Sequence, residues 1–237
     1  MPLMRLDKYL ADCTALTRSQ LRREIRSGAV TVNGEVITQP EHKLDPDSAA
    51  VTLGGEKVEY KKFCYYMLNK PAGILSATDD KKQRTVIDLF PPEIKKRGIF
   101  PVGRLDKDTT GLLIITDDGE LAHKVISPKS GIVKTYIADT DGAVTPADVK
   151  AFAEGVTLKD GTKCLPAELE PLAGSRCIVR VSEGKYHQVK RMLASVGKPV
   201  LALKRVAIGA LELDKTLAEG EFRPLGQNEL CNLYKKK

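Results

Sequence analysis

The sequence has no long apolar segment. Its longest uninterrupted aliphatic run is the four residues LLII at positions 112–115, whereas a membrane-spanning helix needs about 20 apolar residues. The opening stretch MPLMRLDKYL also lacks the apolar core of a secretory signal. These absences predict a protein that is not secreted, has no membrane partner and works in the cytoplasm.

Cysteines are few and irregularly spaced, and none of them forms a C-x-x-C pair. An odd number of cysteines at irregular spacing argues against a disulfide framework and against a zinc site. We therefore expect reduced thiols and no bound metal. The five cysteines are Cys13, Cys64, Cys164, Cys177 and Cys231.

The composition is that of a folded protein with a sizeable core. Hydrophobic residues make up 42% and charged residues 29% of the 237 positions, which excludes wholesale disorder. The formal net charge is +7, so a polyanion is a plausible partner, although charge alone does not establish one.

Two short helices are predicted near the amino terminus. In the first, apolar residues recur at helical spacing and give one apolar face. In the second, Thr17 followed by Gln20 fits a capping box, and Gly28 lies where a helix ends. Leu21 and Ile25 are expected to face inward. The apolar residues of the first helix are Leu6, Tyr9, Leu10 and Cys13.

The second helix carries a basic surface that we predict to bind phosphate groups. A solvated helix face is the ordinary interpretation of such a charge run. Here, however, four arginines and only Glu24 as a counter-charge lie within ten residues. Their mutual repulsion is easier to explain if phosphates neutralise them. The arginines are Arg18, Arg22, Arg23 and Arg26.

Turn signals and charge divide the chain near residue 60. Asn33-Gly34 and Gly54-Gly55, each between strand-like runs, predict two hairpins. Residues 1–60 contain eight basic and nine acidic side chains, net −1, whereas the remainder contains 30 and 22, net +8. We predict a small α/β domain over residues 1–60 and a second domain over residues 61–237.

The second domain is predicted to be α+β. Short strands alternate with turns and a few helices, and most connections are too short for parallel crossovers. The runs FCYYMLNKP, GLLIITDDGELAHKVIS and CIVRVSEGKYHQVKRMLASVG each contain a strand, and the last two continue into a helix. We expect a mainly antiparallel mixed sheet with flanking helices.

The segment GRLDKDTTG, residues 103–111, concentrates polar residues between two glycines. Asp106, Asp108, Thr110, Gly111 and Asp117 fit part of an EF-hand calcium loop. The context does not fit, because a strand-like LLII run follows where the loop would still bind the ion. On pattern alone, the segment is an ordinary turn whose aspartates bond to their own backbone.

Several motifs together resemble pseudouridine synthases of the RsuA type. GRLDKDTTGLLIITDDG resembles the motif that carries their catalytic aspartate, and MRLDKYL…LRREIRSGAVTVNGE resembles an S4 RNA-binding domain. YYMLNKPAG, SPKSGIVKTY and EGKYHQVKRM resemble further motifs of the catalytic domain, in the same order. The resemblance extends from residue 4 to about residue 225.

The resemblance implies an isomerase that needs no cofactor, because uridine becomes pseudouridine without redox change or group transfer. Asp106 is then the catalytic carboxylate, acting as nucleophile on the sugar or as base at C2′. A nearby cation favours an ionised carboxylate. The resemblance places Lys190 there, although related synthases more often carry arginine and Arg191 follows directly, so either residue is a candidate partner.

The resemblance also assigns roles in holding RNA. Tyr136 matches the family's active-site tyrosine, which stacks on the flipped base and is a candidate to remove the C5 proton; the alternative is a core tyrosine. Arg104 is expected to hold a phosphate or to fill the gap left by the flipped nucleotide. His187 and Gln188 are expected to form hydrogen bonds and not to bind metal.

The implied substrate is one uridine of small-subunit (16S) ribosomal RNA, free or in an assembling subunit, bound by a monomer. Two alternatives remain open at this point. The protein modifies large-subunit RNA, or it is a ribosome assembly factor that binds RNA without catalysis. EGKYHQVKRM favours the small-subunit type by resemblance, and the complete set of Asp106, Tyr136 and Lys190 favours an enzyme.

Overall fold

The structure is a computed structural model that describes residues 2–14 and 16–235. The chain forms two compact units. The first comprises the residues up to Phe63 together with Pro92–Arg97, and the second comprises Cys64–Pro91 and the described residues from Gly98 onward. The domain boundary at residue 60 stays a prediction, and that prediction did not include the return of Pro92–Arg97 to the first unit.

Among its described residues, the first unit contains three helices and six short strands. Strands β2, β3, β5 and β6 form an antiparallel sheet in the order β3-β2-β5-β6, and β1 pairs with β4. The helices are α1 (Leu6–Cys13), α2 (Arg18–Arg26) and α3 (Pro92–Lys95). The strands are β1 (Met4–Arg5), β2 (Val30–Val32), β3 (Glu35–Val36), β4 (Lys43–Leu44), β5 (Val51–Leu53) and β6 (Glu56–Val58).

Local sequence signals account for most of this unit. Asn33 and Gly34 both have positive φ, 52° and 87°, as a two-residue type I′ hairpin requires. Thr17 and Gln20 form the predicted capping box of α2. The inward faces of α1 and α2 are buried in one apolar cluster, as their spacing predicts. The buried members on these helices are Leu6, Tyr9, Leu10, Leu21 and Ile25.

The second unit is built on a sheet of nine strands in the order β11-β12-β10-β13-β9-β7-β15, with β14 added to β13 and β8 to β9. The strands are β7 (Tyr65–Lys70), β8 (Phe100–Pro101), β9 (Thr110–Thr116), β10 (Lys134–Thr140), β11 (Glu168–Pro171), β12 (Arg176–Val181), β13 (Val200–Ile208), β14 (Leu211–Glu212) and β15 (Phe222–Pro224).

In the part of the second unit that the structure describes, four α-helices accompany this sheet, and 3₁₀ turns lie at Val86–Leu89 and Pro128–Ser130. Within the described residues, no helix has the length and apolar character needed to cross a membrane. The helices are α4 (Gly119–Ile126), α5 (Pro146–Glu154), α6 (Gln188–Ser195) and α7 (Gln227–Asn232).

The predicted fold class is confirmed. Each strand pair in the large sheet is antiparallel except β9 with β13, which run parallel. Two apolar clusters pack against the sheet: one joins α4 and α7 to β7 and β9, and the other joins α5 and α6 to β10 and β12. A mixed, mainly antiparallel sheet with flanking helices is the α+β arrangement.

The parallel pair depends on a glycine. Gly111 lies opposite Arg205 in the pairing of β9 with β13, and its φ is +100°. A Cβ atom at residue 111 would lie 2.2 Å from the Arg205 carbonyl oxygen. Only glycine allows this backbone conformation and this close approach together. β9 joins β13 at Lys204, four residues after β13 begins.

The loop before β9 carries Asp106, and the segment after β7 holds it in place. The Lys70 ammonium group donates hydrogen bonds to the carbonyl oxygens of Pro71, Lys107 and Thr109 at 3.0, 3.2 and 3.0 Å. The backbone amide of Gly73 donates to the Lys107 carbonyl at 2.7 Å. Ser76 and Leu105 exchange two hydrogen bonds. Together these contacts hold the loop that carries Asp106 in place.

Lys70 is completely buried. Desolvation lowers the pKa of its ammonium group to about 8, although the carboxylates of Asp108 and Asp106 act in the opposite direction. Burying a charge without a directly contacting carboxylate is costly, and among the described residues three carbonyl acceptors replace its water shell. The loop geometry and the protonation of Lys70 are therefore linked.

We expect Gly111→Ala to destabilise the second unit strongly. The added methyl group meets the Arg205 carbonyl, and alanine disfavours a φ of +100°, so the free energy of unfolding should fall by at least about 3 kcal/mol. Gly119→Ala is the matched control. It lies at the start of α4 with nothing near its missing Cβ, and should be neutral or slightly stabilising. Urea unfolding of both variants tests this, and equal stabilities would contradict it.

We expect the contribution of Lys70 to stability to rise with pH above 8. The unfolded lysine titrates near 10.5 and the folded one near 8. Between these values unfolding takes up a proton, so the free energy of unfolding gains up to about 1.4 kcal/mol per pH unit. Below pH 8 both states are protonated and this dependence vanishes. Urea unfolding of wild type and Lys70→Met from pH 7 to 10 measures the difference, and parallel pH profiles would contradict the prediction.

Candidate active site

An open cleft in the second unit gathers residues from motifs that are far apart in the sequence. It has about 460 Å³ of empty space and is lined by the loop before β9, by β10 and β13, and by the loop and first turn of α6. It forms beside Leu203, where β13 extends past the beginning of β9. The polar residues that line it include Arg104, Asp106, Tyr136, His187 and Lys190.

Asp106 lies between two nitrogen groups of the α6 segment. Its carboxylate oxygens are 3.3 Å from the Lys190 ammonium nitrogen and 3.4 Å from Nε2 of His187. The Asp106 side chain is 26% exposed, so it is held by protein groups and still open to the cleft. Of the two cations that the sequence offered as partners, Lys190 is the one beside Asp106.

Lys190 also serves a second carboxylate. Its ammonium group hydrogen-bonds to Asp108 at 2.5 Å, and this hydrogen bond lowers the pKa of the Asp108 carboxyl. Arg191 turns elsewhere, because its guanidinium pairs with Asp160. The structure thus separates the two adjacent cations: Lys190 binds the Asp106 loop, and Arg191 binds the turn before β11. The sequence predicted neither the ion pair of Asp108 with Lys190 nor that of Arg191 with Asp160.

Tyr136 and Arg104 lie in the same cleft as Asp106. Tyr136 is half-buried in β10, between Val179 of β12 and Arg205 of β13. Arg104 is exposed, and no hydrogen bond or ion pair of its side chain is found among the described residues. One aromatic ring and one solvent-accessible guanidinium therefore flank the carboxylate.

The calcium alternative does not fit the structure. Residues 112–115, which an EF-hand would use to continue its loop, lie within β9. The buried Thr109 hydroxyl has no hydrogen-bond partner in the described chain, so it does not hold the loop. Lys70, Gly73 and Ser76 hold it instead.

Sequence reasoning missed Lys70 and Glu183. Lys70 was visible as a lysine ending an apolar strand directly before a proline. Glu183 is buried and receives hydrogen bonds from the Gln188 amide and from the Leu165 backbone, besides its ion pair with Lys185. It fixes the loop that leads into α6, and a glutamate at the end of a strand gave no separate signal for this role.

The predicted RNA-binding arginines lie on α2 in the first unit. Arg18, Arg23 and Arg26 are exposed. Arg22 also has a structural contact, because its guanidinium pairs with the buried Asp7 at 3.2 Å. Burial raises the pKa of Asp7, but hydrogen bonds from Arg5 and Arg22 outweigh burial and lower it overall. Arg22 is therefore partly committed to the fold of this unit.

The cleft provides the groups needed for chemistry on a sugar and a base. A carboxylate in reach of solvent can act as nucleophile or as base, and an aromatic ring nearby can stack on a nucleobase. Asp106 and Tyr136 supply these groups. Lys190 and His187 hold the carboxylate from one side, which fixes its direction.

Comparison with known proteins gives two family matches. Residues 64–195 match a family model described as RNA pseudouridylate synthase, and residues 4–49 match the S4 domain. The RNA pseudouridine synthase YtzG of Bacillus subtilis is 43% identical over 96% of this chain and 97% of its own. Ribosomal small subunit pseudouridine synthase A of Escherichia coli is 40% identical over 97% of this chain and 100% of its own.

A solved structure is also similar along nearly the whole chain. A crystal structure of a pseudouridylate synthase has a TM-score of 0.69 at 38% identity and covers 97% of this chain and 99% of its own. The family match includes the Asp106 loop, Tyr136 and Lys190, the groups that meet in the cleft. This chain therefore belongs to the RNA pseudouridine synthase family, in the RsuA type that carries an amino-terminal S4 domain.

Proposed function

We propose that this protein converts one uridine of small-subunit (16S) ribosomal RNA to pseudouridine, with Asp106 acting on the sugar of a flipped-out nucleotide. The observation that carries this proposal is the meeting of Asp106, Tyr136 and Lys190 around one cleft. The three residues come from different motifs and are brought together by the sheet and α6. A protein that only bound RNA would have no physical need for this arrangement.

The proposed reaction breaks the bond between N1 and C1′, turns the base and joins C5 to C1′. The C5 proton leaves and N1 gains a proton, so product and substrate are isomers. Asp106 attacks C1′ or removes a proton from C2′. Lys190 and His187 hold the carboxylate in place, and Tyr136 stacks on the base and is the candidate to take the C5 proton.

The substrate is inferred from relatives. Proteins named ribosomal small subunit pseudouridine synthase A are about 40% identical to this chain over almost its full length in both Escherichia coli and Salmonella typhimurium. Identity at this level across both units supports the same class of RNA. A uridine within folded RNA has to leave its stack to reach the cleft, and Arg104 is placed at the rim to hold a phosphate or fill the gap.

The first unit is proposed to bind the RNA away from the reacting uridine. Its match to the S4 domain and the exposed arginines of α2 support this role, and Arg191 is proposed to add to RNA binding in the second unit. We further propose that the protein works as a monomer in the cytoplasm. The odd number and irregular spacing of its five cysteines support a reducing compartment.

Asp106→Asn is expected to abolish pseudouridine formation while leaving RNA binding intact. The amide keeps the shape of the side chain but cannot act as nucleophile or base, so the rate should fall by at least about 100-fold. Purified protein is incubated with small-subunit RNA, large-subunit RNA and early ribosomal particles, and pseudouridine is mapped. Asp139→Asn is the matched control, since Asp139 is a surface carboxylate of β10 paired with Arg176.

Each arm of this experiment tests a separate statement. If new pseudouridine forms in large-subunit RNA alone, the protein is a pseudouridine synthase but the proposed substrate is wrong. Equal products from wild type and Asp106→Asn would contradict the role of the carboxylate. RNA binding without any new pseudouridine on any of these substrates would favour an assembly factor.

Removing Arg18 and Arg26 together is expected to weaken the salt dependence of RNA binding. Each phosphate contact contributes about 0.7–0.9 to the slope of log K against log salt, so the slope should fall by about 1.5 for the variant carrying Arg18→Gln and Arg26→Gln. Arg22 is left in place because it pairs with buried Asp7. Filter binding to small-subunit RNA measures the slope.

The control variant carries Lys150→Gln and Lys215→Gln, which remove two exposed lysines of the second unit. This variant loses the same net charge, but its two substituted positions lie outside the predicted RNA-binding surface. If both double variants have the same slope, the α2 arginines do not contact phosphates in the complex.

A further inference from the structure

An exposed aromatic ring lies beside the proposed active site. Tyr186 is 76% exposed, although large aromatic side chains are usually buried in folded proteins. Its ring is stacked on the imidazole of His187, with centroids 3.8 Å apart and planes inclined by 20°. Lys185 and His187 on either side line the cleft, so the Tyr186 ring stands at its rim with most of its surface in solvent.

The backbone under this stack is strained. His187 has a φ of +46° and a ψ of +36°, a left-handed conformation that glycine adopts at little cost and that other residues rarely adopt. A glycine there would relieve the strain but would remove the imidazole that contacts both Tyr186 and Asp106. Such strain persists only where the surroundings impose it, and it concentrates at functional sites.

Hydrogen bonds on both sides of His187 impose this backbone conformation. Buried Glu183 accepts a hydrogen bond from the Gln188 side chain at 2.8 Å and one from the Leu165 backbone at 3.0 Å. The side-chain Oε1 of Gln188 in turn accepts a hydrogen bond from the Lys185 backbone amide at 2.8 Å. These hydrogen bonds hold the loop that presents Tyr186 at both of its ends. Because the loop is already ordered, binding a ligand to the ring costs little further conformational entropy.

We propose that Tyr186, backed by His187, is a stacking platform for the nucleobase next to the flipped-out uridine. This inference rests on the proposed function. When a uridine leaves its stack, each neighbouring base loses a stacking partner and exposes an aromatic face. A rigid, exposed ring at the rim of the cleft replaces that partner, while Tyr136 inside the cleft takes the uridine itself.

The platform also links substrate binding to the carboxylate. His187 lies between the Tyr186 ring and Asp106, in contact with both. A base stacked on the outer face of Tyr186 extends a column of rings that includes His187, whose Nε2 contacts the Asp106 carboxylate. The neighbouring nucleotide is then bound close to the position where the uridine sugar meets Asp106.

The test compares Tyr186→Leu, which keeps apolar bulk without a π face, with Tyr186→Phe, which keeps the ring. Base–aromatic stacking is worth roughly 5- to 150-fold in affinity, so Tyr186→Leu should raise KM for small-subunit RNA by at least about 5-fold with little change in kcat. Tyr186→Phe should match wild type. Because Tyr186 is largely exposed, both variants are expected to fold, and urea unfolding checks this.

A second measurement reports stacking directly. 2-Aminopurine is placed on either side of the mapped uridine in an RNA fragment, and the fragment is bound to protein carrying Asp106→Asn to prevent turnover. Fluorescence quenching at one of the two positions, kept by Tyr186→Phe and lost by Tyr186→Leu, is the expected result. Quenching that is the same in all three proteins would overturn the platform.

The wild-type reaction separates this inference from the proposed function. Pseudouridine formed by wild type, together with an unchanged KM for Tyr186→Leu, overturns the platform alone. Equal losses in Tyr186→Leu and Tyr186→Phe also overturn it, because they assign the effect to the hydroxyl group. Absence of pseudouridine with wild type overturns the proposed function and, with it, this inference.

Discussion

The Lys70 side chain leaves the sheet at the end of β7 and reaches the underside of the loop that carries Asp106. There its ammonium group donates hydrogen bonds to three backbone carbonyl oxygens of the described chain, and the Lys70 side chain is completely buried. Two of these oxygens belong to the loop, on either side of Asp108. Because a buried donor without acceptors is costly, the loop cannot move far without leaving Lys70 unsatisfied. The direction of the Asp106 carboxylate, and its contacts with Lys190 and His187 on the other side of the loop, depend on these hydrogen bonds from Lys70.

Above the loop, the charges are arranged around one lysine. Lys190 stands between Asp106 and Asp108, at 3.3 Å and 2.5 Å. A compact ammonium group can serve two carboxylates in different directions, whereas the planar fork of arginine is suited to engage one carboxylate with two hydrogen bonds. A lysine at position 190 is therefore compatible with this site. It distributes its charge over the loop and leaves Asp106 less tightly held than a bidentate pair would.

What could be predicted from the sequence was local or carried by linked motifs. Asn33-Gly34 determines its hairpin through backbone conformation, and Thr17 with Gln20 determines the start of α2, so both were correct. Contacts between distant residues were not accessible in the same way. The pairing of Arg191 with Asp160, and of Lys70 with carbonyl groups 37 and 39 residues away, depends on how the sheet folds. No spacing rule encodes that, and these are the contacts that position the candidate site.

The segment Pro92–Arg97 lies within the sequence of the larger unit but packs as part of the smaller one. Arg97 donates hydrogen bonds to the carbonyl oxygens of Asp12, Lys61 and Lys62, and Lys96 donates to that of Thr14. A gene fragment that ends near residue 63 would encode the S4-like sequence without these donors. In evolutionary terms, the smaller unit is not a freely exchangeable cassette. Recombination that moved it to another protein would have to move part of the catalytic sequence as well, which favours inheritance of the two units together.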